Sequence, residues 1–145
     1  MVATVDLLLE DIRQKVRSLG FKELRTPDDV DNTIKNSKGT LLIFVNSTCG
    51  CTSGIARPAI EMALKGKNIP DNFATVFAGQ DKDATARART YFTDQPPSSP
   101  SFVLMKNGRF VGMIHRSDIE GRDPQTVAET LKNLFMLENT QANSL

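Results

Sequence analysis

Residues 39–59 read GTLLIFVNSTCGCTSGIARPA, and the rest of the chain is arranged around them. Leu41-Leu42-Ile43-Phe44-Val45 is a short apolar run between Gly39 and the turn-forming Asn46-Ser47-Thr48. Its length and boundaries predict a strand covered on both faces rather than a helix. Cys49 and Cys51 follow at once, separated only by Gly50. A helix is expected from about Thr52 to Lys65, with Ile55, Ala59, Met62 and Ala63 inward. Pro58 falls inside it, where it removes one hydrogen bond to the preceding turn and predicts a kink.

On the N-terminal side, Val5, Leu8, Leu9, Ile12, Val16 and Leu19 recur at helical spacing, and Gly20 stops the pattern. A short extended piece, Phe21 to Leu24, is expected next. Thr26-Pro27 reads as an N-cap with proline at the first helical position, opening a helix with Val30 and Ile34 inward. On the C-terminal side, Phe73 to Ala78 reads as a second central strand. Asp81 is placed to cap a helix carrying Ala84, Ala88, Tyr91 and Phe92.

Asp94 to Pro100 contains three prolines and two serines and reads as a rigid loop. Phe102 to Met105, Asn107-Gly108 and Phe110 to Ile114 form a hairpin signal. Asp123-Pro124 opens a last helix with Val127, Leu131, Leu134 and Phe135, and residues 138–145 are expected to fray. Strands alternating with helices imply an α/β fold: a mostly parallel sheet with helices on both faces, an antiparallel C-terminal hairpin and an extra N-terminal helix. All of 1–145 is expected to form one domain. In such sheets, sites sit at the carboxyl ends of central strands, where Cys49 falls.

Composition limits what that site serves. With 18 basic against 17 acidic residues the net charge is +1, giving no electrostatic reason to expect nucleic acid or an anionic membrane as partner. No apolar run approaches the roughly 20 residues of a membrane span. The N-terminus reaches Asp6, Glu10 and Asp11 too soon for a secretory signal, so a cytoplasmic location is expected. There, a close cysteine pair is reactive or metal-binding rather than a structural staple.

A thiol reacts as its thiolate. A helix N-terminus favours that form through unpaired N–H groups and about half a positive charge, and cysteines so placed have pKa values of roughly 3.5 to 7.5 instead of ~8.5. Cys49, just ahead of the helix, is therefore expected to attack, and Cys51 to resolve. Cα atoms two residues apart are at most about 7 Å apart, so a Cys49–Cys51 disulfide needs a sharply bent backbone, which Gly50 permits. So small a ring is strained and easily reduced, suiting exchange or isomerisation rather than bulk reduction. Ser99-Pro100 is the second feature. A cis bond there would bring the Ser99 backbone within reach of a bound peptide or thiol, although only about 5–6% of X–Pro bonds in folded proteins are cis.

Asn46-Ser47-Thr48-Cys49-Gly50-Cys51 followed by Ala56-Arg57-Pro58-Ala59 closely resembles the bacilliredoxins, bacterial thioredoxin-like proteins with a Cys-Gly-Cys motif. The resemblance extends to the N-terminal helix, Ser99-Pro100 and the Asn107-Gly108 hairpin. It implies a thioredoxin-like fold with Pro100 as its cis proline. It implies that Cys49 attacks mixed disulfides between client proteins and the small thiol bacillithiol, a co-substrate, with no bound cofactor and no metal. It also implies weak disulfide-isomerase activity. Gly50, Ser99 and Pro100 are the expected substrate-binding residues beside the catalytic Cys49 and Cys51.

Other readings compete. A thioredoxin-like binding module without turnover needs the cysteines only as a conformational switch. A metal site needs four ligands for zinc, whereas the chain offers two cysteines and His115, which reads instead as a surface or edge-strand residue. Arg57 reads as a solvated or salt-bridged helix residue, with support of a thiolate or of a carboxylated thiol as the alternative. Lys82 to Arg89 reads as a wet helix face, and Met62, Tyr91, Phe92 and Met105 as core.

Overall fold

A computed structural model describes residues 2–47, 50–92 and 95–143, with side chains for 9–47, 54–92 and 95–137. In chain order the elements are α1 (Val2–Ser18), β1 (Lys22–Glu23), α2 (Pro27–Asn36), β2 (Thr40–Asn46), α3 (Gly50–Ala63), β3 (Asn72–Phe77), α4 (Lys82–Arg89), β4 (Ser101–Lys106), β5 (Arg109–Ile114), α5 (Arg116–Ile119) and α6 (Pro124–Asn143).

The strands form one sheet in the order β1-β3-β2-β4-β5. β1, β3 and β2 run parallel, β4 is antiparallel to β2, and β5 to β4. The hairpin therefore does more than edge a parallel sheet, because β4 pairs directly with the central strand. The turn that holds it has Asn107 and Gly108 at φ of 50° and 80°, the left-handed pair a tight hairpin requires. Asn107 also accepts the Gly39 N–H through Oδ1 and donates its own N–H to the Gly39 carbonyl, both at 2.9 Å. That exchange ties the hairpin tip to the start of β2.

The apolar run of β2 has no polar face because neither face meets water. Leu42 and Phe44 join Ile12 and Val16 of α1, Ala59 and Ile60 of α3, and Val127 and Leu131 of α6. Leu41, Ile43 and Val45 pack on the other face with Val30 and Ile34 of α2 and Ala84 and Ala88 of α4. Phe44 and Phe102 stack across adjacent strands with ring centroids 4.5 Å apart.

Thr26 caps α2 as expected, its hydroxyl accepting the Asp29 N–H at 3.1 Å. Elsewhere the structure corrects the sequence reading. The inward face of α3 is Ala56, Ala59, Ile60 and Ala63, whereas Met62 is 43% exposed and not core. Three alanines carry too little hydrophobicity to outvote Met and Ile in a periodicity reading, yet they let the helix lie close to its neighbours. Asp81 precedes α4 without a side-chain cap, its carboxylate drawn instead to Arg13 at 3.0 Å. Helix α4 ends at Arg89, before Tyr91 and Phe92, and its face is not uniformly wet, since Thr85 is buried. The short α5 was not anticipated, and the helical backbone of α6 runs on to Asn143 through residues 138–143 where fraying was expected.

Candidate functional site

The site begins where β2 ends. Asn46 is fully buried, and its Oδ1 accepts the Ser47 N–H at 2.8 Å, turning the chain out of the strand. The Asn46 carbonyl accepts from the Ala78 N–H at 3.0 Å, which extends the β2–β3 pairing to the tip. Thr48 and Cys49 lie outside the described residues. Helix α3 starts at Gly50, about two residues earlier than expected, so the backbone of Cys51 belongs to its first turn, while the Cys51 side chain lies outside the described atoms. The unpaired N–H groups of that first turn thus follow directly on Cys49 in the chain.

Across the sheet, Val45 pairs with Ser101. The Ser99-Pro100 bond just before that rung is cis, with Pro100 buried and Ser99 half-buried. The approach to Cys-Gly-Cys and the cis bond therefore sit on adjacent strands at one end of the sheet.

Local interactions fix the loop before Pro100. The Ser98 carbonyl accepts from the Ser101 hydroxyl at 3.0 Å and from Arg89 Nη2 at 3.5 Å. The Ser98 hydroxyl accepts the Arg116 N–H at 3.4 Å and meets His115 Nδ1 at 3.2 Å. His115 Nε2 reaches Gln95 Oε1 at 2.7 Å. An amide oxygen only accepts, so Nε2 donates there, and Nδ1 is within hydrogen-bond distance of the Ser98 hydroxyl. His115, half-buried at the end of the edge strand β5 as the edge-strand reading expected, thus also ties that strand to this loop. The link spans 17 residues to Ser98 and 20 to Gln95, too far for any local pattern to reveal. Among the described residues no group of three or more His, Cys, Asp or Glu is arranged to hold a metal ion.

Two arginines flank these segments. Arg57 of α3 donates from Nη1 to the Ser47 carbonyl at 3.2 Å, and Arg89 of α4 touches the Ser98 carbonyl. Both are half-buried, and burial presses both guanidinium groups below their usual pKa. Neither has a carboxylate within ion-pair distance among the described residues. Of the two roles expected from sequence, the salt bridge is therefore missing among the described residues, while Arg57 keeps part of its surface in solvent and bonds to backbone. Arg89, Gln95 and Ser98 were not singled out from sequence at all.

Between α1 and α3 lies a cleft of about 490 Å³, lined by Lys15, Ser18, Phe44, Gly54, Arg57 and Glu61 among others. It opens on the flank of α3 that faces α1, whereas Pro100 is on the β4 side. No helix among the described residues is long and apolar enough to cross a membrane.

Comparison with known proteins agrees with this architecture. The family model described as disulphide isomerase matches residues 5–138. A bacilliredoxin of Geobacillus kaustophilus is 52% identical over 128 residues, 88% of each chain. One from Symbiobacterium thermophilum is 53% identical over 120 residues, 83% of this chain and 85% of the relative. One from Staphylococcus aureus is 49% identical over 128 residues, again 88% of each. Among solved structures, Fasciola hepatica thioredoxin superposes with a TM-score of 0.56 at 20% identity, over 80% of this chain and 97% of that one. Mitochondrial thioredoxin 3 of Saccharomyces cerevisiae gives 0.55 at 19%, over 79% and 95%. The two thioredoxins share the fold.

Proposed function

This chain belongs to the bacilliredoxin family, with a thioredoxin-like fold and a thiol–disulfide oxidoreductase type of function, and we propose that it removes bacillithiol from protein mixed disulfides through Cys49. The observation that carries the reading is the pairing of Val45 with Ser101. It sets the segment entering Cys49-Gly50-Cys51 beside the cis Ser99-Pro100 bond, with the N-terminus of α3 following on.

The chemistry follows from those parts. The Cys49 thiolate, favoured by the N–H groups of α3, attacks the bacillithiol sulfur of the mixed disulfide. The client sulfur leaves as a thiolate, and the new disulfide joins Cys49 to bacillithiol. One disulfide is broken and one formed, with no net oxidation. Cys51 then displaces bacillithiol to form the Cys49–Cys51 disulfide, which further small thiol reduces; alternatively a second bacillithiol attacks directly. Gly50, Ser99 and Pro100 form the surface on which the client backbone lies. The same attack on a client's own disulfide gives isomerase activity, which the strained three-residue ring supports. A cytoplasmic setting, where small thiols are abundant and reduced, fits this role.

The test is turnover of a bacillithiolated client followed by mass spectrometry. Cys49→Ser is expected to abolish client release, and Cys51→Ser to leave the first transfer intact and trap bacillithiol on Cys49. Release undiminished in Cys49→Ser would leave a binding module as the better description.

A further inference from the structure

The flank of the site away from Pro100 carries a guanidinium, that of Arg57, at the edge of a cleft. The cleft between α1 and α3, about 490 Å³, falls in the size range of small-ligand pockets. Gly54, Arg57 and Glu61 line it from one stripe of α3, at i, i+3 and i+7, with Phe44 as floor and Lys15 on the facing helix. A Cβ added at Gly54 would meet nothing within 4 Å. Arg57 has five N–H donors and one acceptor in contact, the Ser47 carbonyl at 3.2 Å. Asn46 lies on the same face of β2 as Phe44, and its Nδ2 is buried without a partner, a situation protein interiors avoid. Glu61 is the acidic member of the lining, but it makes no ion pair with Arg57, one turn away, and the Lys15 ammonium is paired with Asp11 at 3.2 Å.

We propose that this cleft seats a carboxylate carried by the small thiol of the mixed disulfide, held by Arg57, so that the protein selects anionic thiol adducts. The proposal rests on attack by Cys49 as described above, and it gives the two halves of the substrate opposite sides of α3. The client lies on the Pro100 side and the small thiol on the Arg57 side. Reach is adequate, because Arg57 binds the Ser47 carbonyl and the Cα of Cys49, two residues on, is at most about 7 Å from that of Ser47. In the transfer the Cys49 thiolate bonds to the small thiol's sulfur and the client sulfur departs as thiolate. The new adduct thereby carries its carboxylate toward the guanidinium, which has no counter-ion among the described residues and need not break a pair with any of them.

Two probes test this: one reporter peptide disulfide-linked to mercaptosuccinate, which is anionic, or to mercaptoethanol, which is neutral. Peptide release by the protein is divided by release from the same adduct by a free small thiol, to remove intrinsic reactivity. The wild type is expected to favour the mercaptosuccinate adduct about tenfold or more, as one charge-assisted contact would give. Arg57→Gln is expected to bring that ratio to about one. Gly54→Leu, which fills the cleft but keeps the guanidinium, should do the same and guards against a folding defect in the first variant. A wild-type ratio near one, an Arg57→Gln variant that slows both adducts equally, or an Arg89→Gln variant that erases the ratio as fully would each overturn the proposal. Cys49→Ser run in parallel separates the two levels. If it is inactive on both probes, the exchange reading stands whatever the ratio; if it is active, both fall.

Discussion

Arg13 and Arg57 project from neighbouring helices on the same face of the sheet, and the fold treats them in opposite ways. Arg13 is 3% exposed, with Nη1 on Glu23 at 2.6 Å, Nη2 on Asp81 at 3.0 Å and its guanidinium 4.6 Å from the centre of the Phe77 ring. Burial alone would lower its pKa, but the hydrogen bonds it donates to Glu23 and Asp81, with their negative charges, outweigh that and raise it. Arg57 experiences the burial without the carboxylates, and its pKa falls. One cation is saturated by partners from β1 and the turn before α4, so it ties three elements together. The other is left short beside a cleft. Charge pairing on both sides marks Arg13 as a residue that holds the fold, and the contrast is what the proposed role of Arg57 rests on.

The largest effect that would break this contrast is in stability. Arg13→Ala strands two partly buried carboxylates, and removing one member of a buried pair typically costs about 3–5 kcal/mol. Urea unfolding should show a loss of that size, with activity per folded molecule retained. A loss below about 1 kcal/mol would mean that Arg25 and Arg17, which also reach Asp81 and Glu23, carry the load.

Acid sharpens the same distinction. Burial pushes the Glu23 carboxyl up, but hydrogen bonds from Arg13 and Arg17 overcome it and hold the group below its ordinary 4.5. The unfolded chain therefore binds that proton more readily than the folded one. This contribution is fully present above about pH 4.5 and is lost as pH falls through the lowered folded value. Urea midpoints measured between pH 6 and 3 should drop in the wild type and drop less steeply in Arg13→Ala. Equal slopes would remove Glu23 from the account.

Arg57→Gln should change stability by less than about 1 kcal/mol, since one backbone contact is lost and a desolvated charge disappears with it. The smallest effect is a gain. Gly54→Ala places a methyl in open space within a helix and should raise stability by about 0.5–1 kcal/mol. If calorimetry shows a loss instead, something fills the cleft next to Gly54.

What the sequence made legible was local. The run 41–45, the stop at Gly20, the Thr26-Pro27 cap and the Asn107-Gly108 turn each declare themselves within a few residues, because strand burial, caps and tight turns are short-range requirements. The cysteine motif was equally plain, and so was the family. What stayed hidden depends on long separations. Arg13 looks like one more polar position on an amphipathic helix, and it becomes core through partners that the fold brings to it, Glu23 and, 68 residues away, Asp81. The phase of α3 was lost because alanine is a weak hydrophobic signal. Arg57 was visible in the motif, but its lack of a counter-ion is a property of the folded surroundings.

The loop before Pro100 carries a further consequence. Ser98 is gripped from β4 by Ser101, from α4 by Arg89, from the end of β5 by His115 and from the start of α5 by Arg116. A polypeptide docking along this ledge meets backbone that is already immobilised. The entropy of ordering that rim has been met during folding rather than at each encounter. If clients dock here as proposed, discrimination among them falls to the visitor's own pliancy, favouring extended or locally unfolded segments over rigid surfaces.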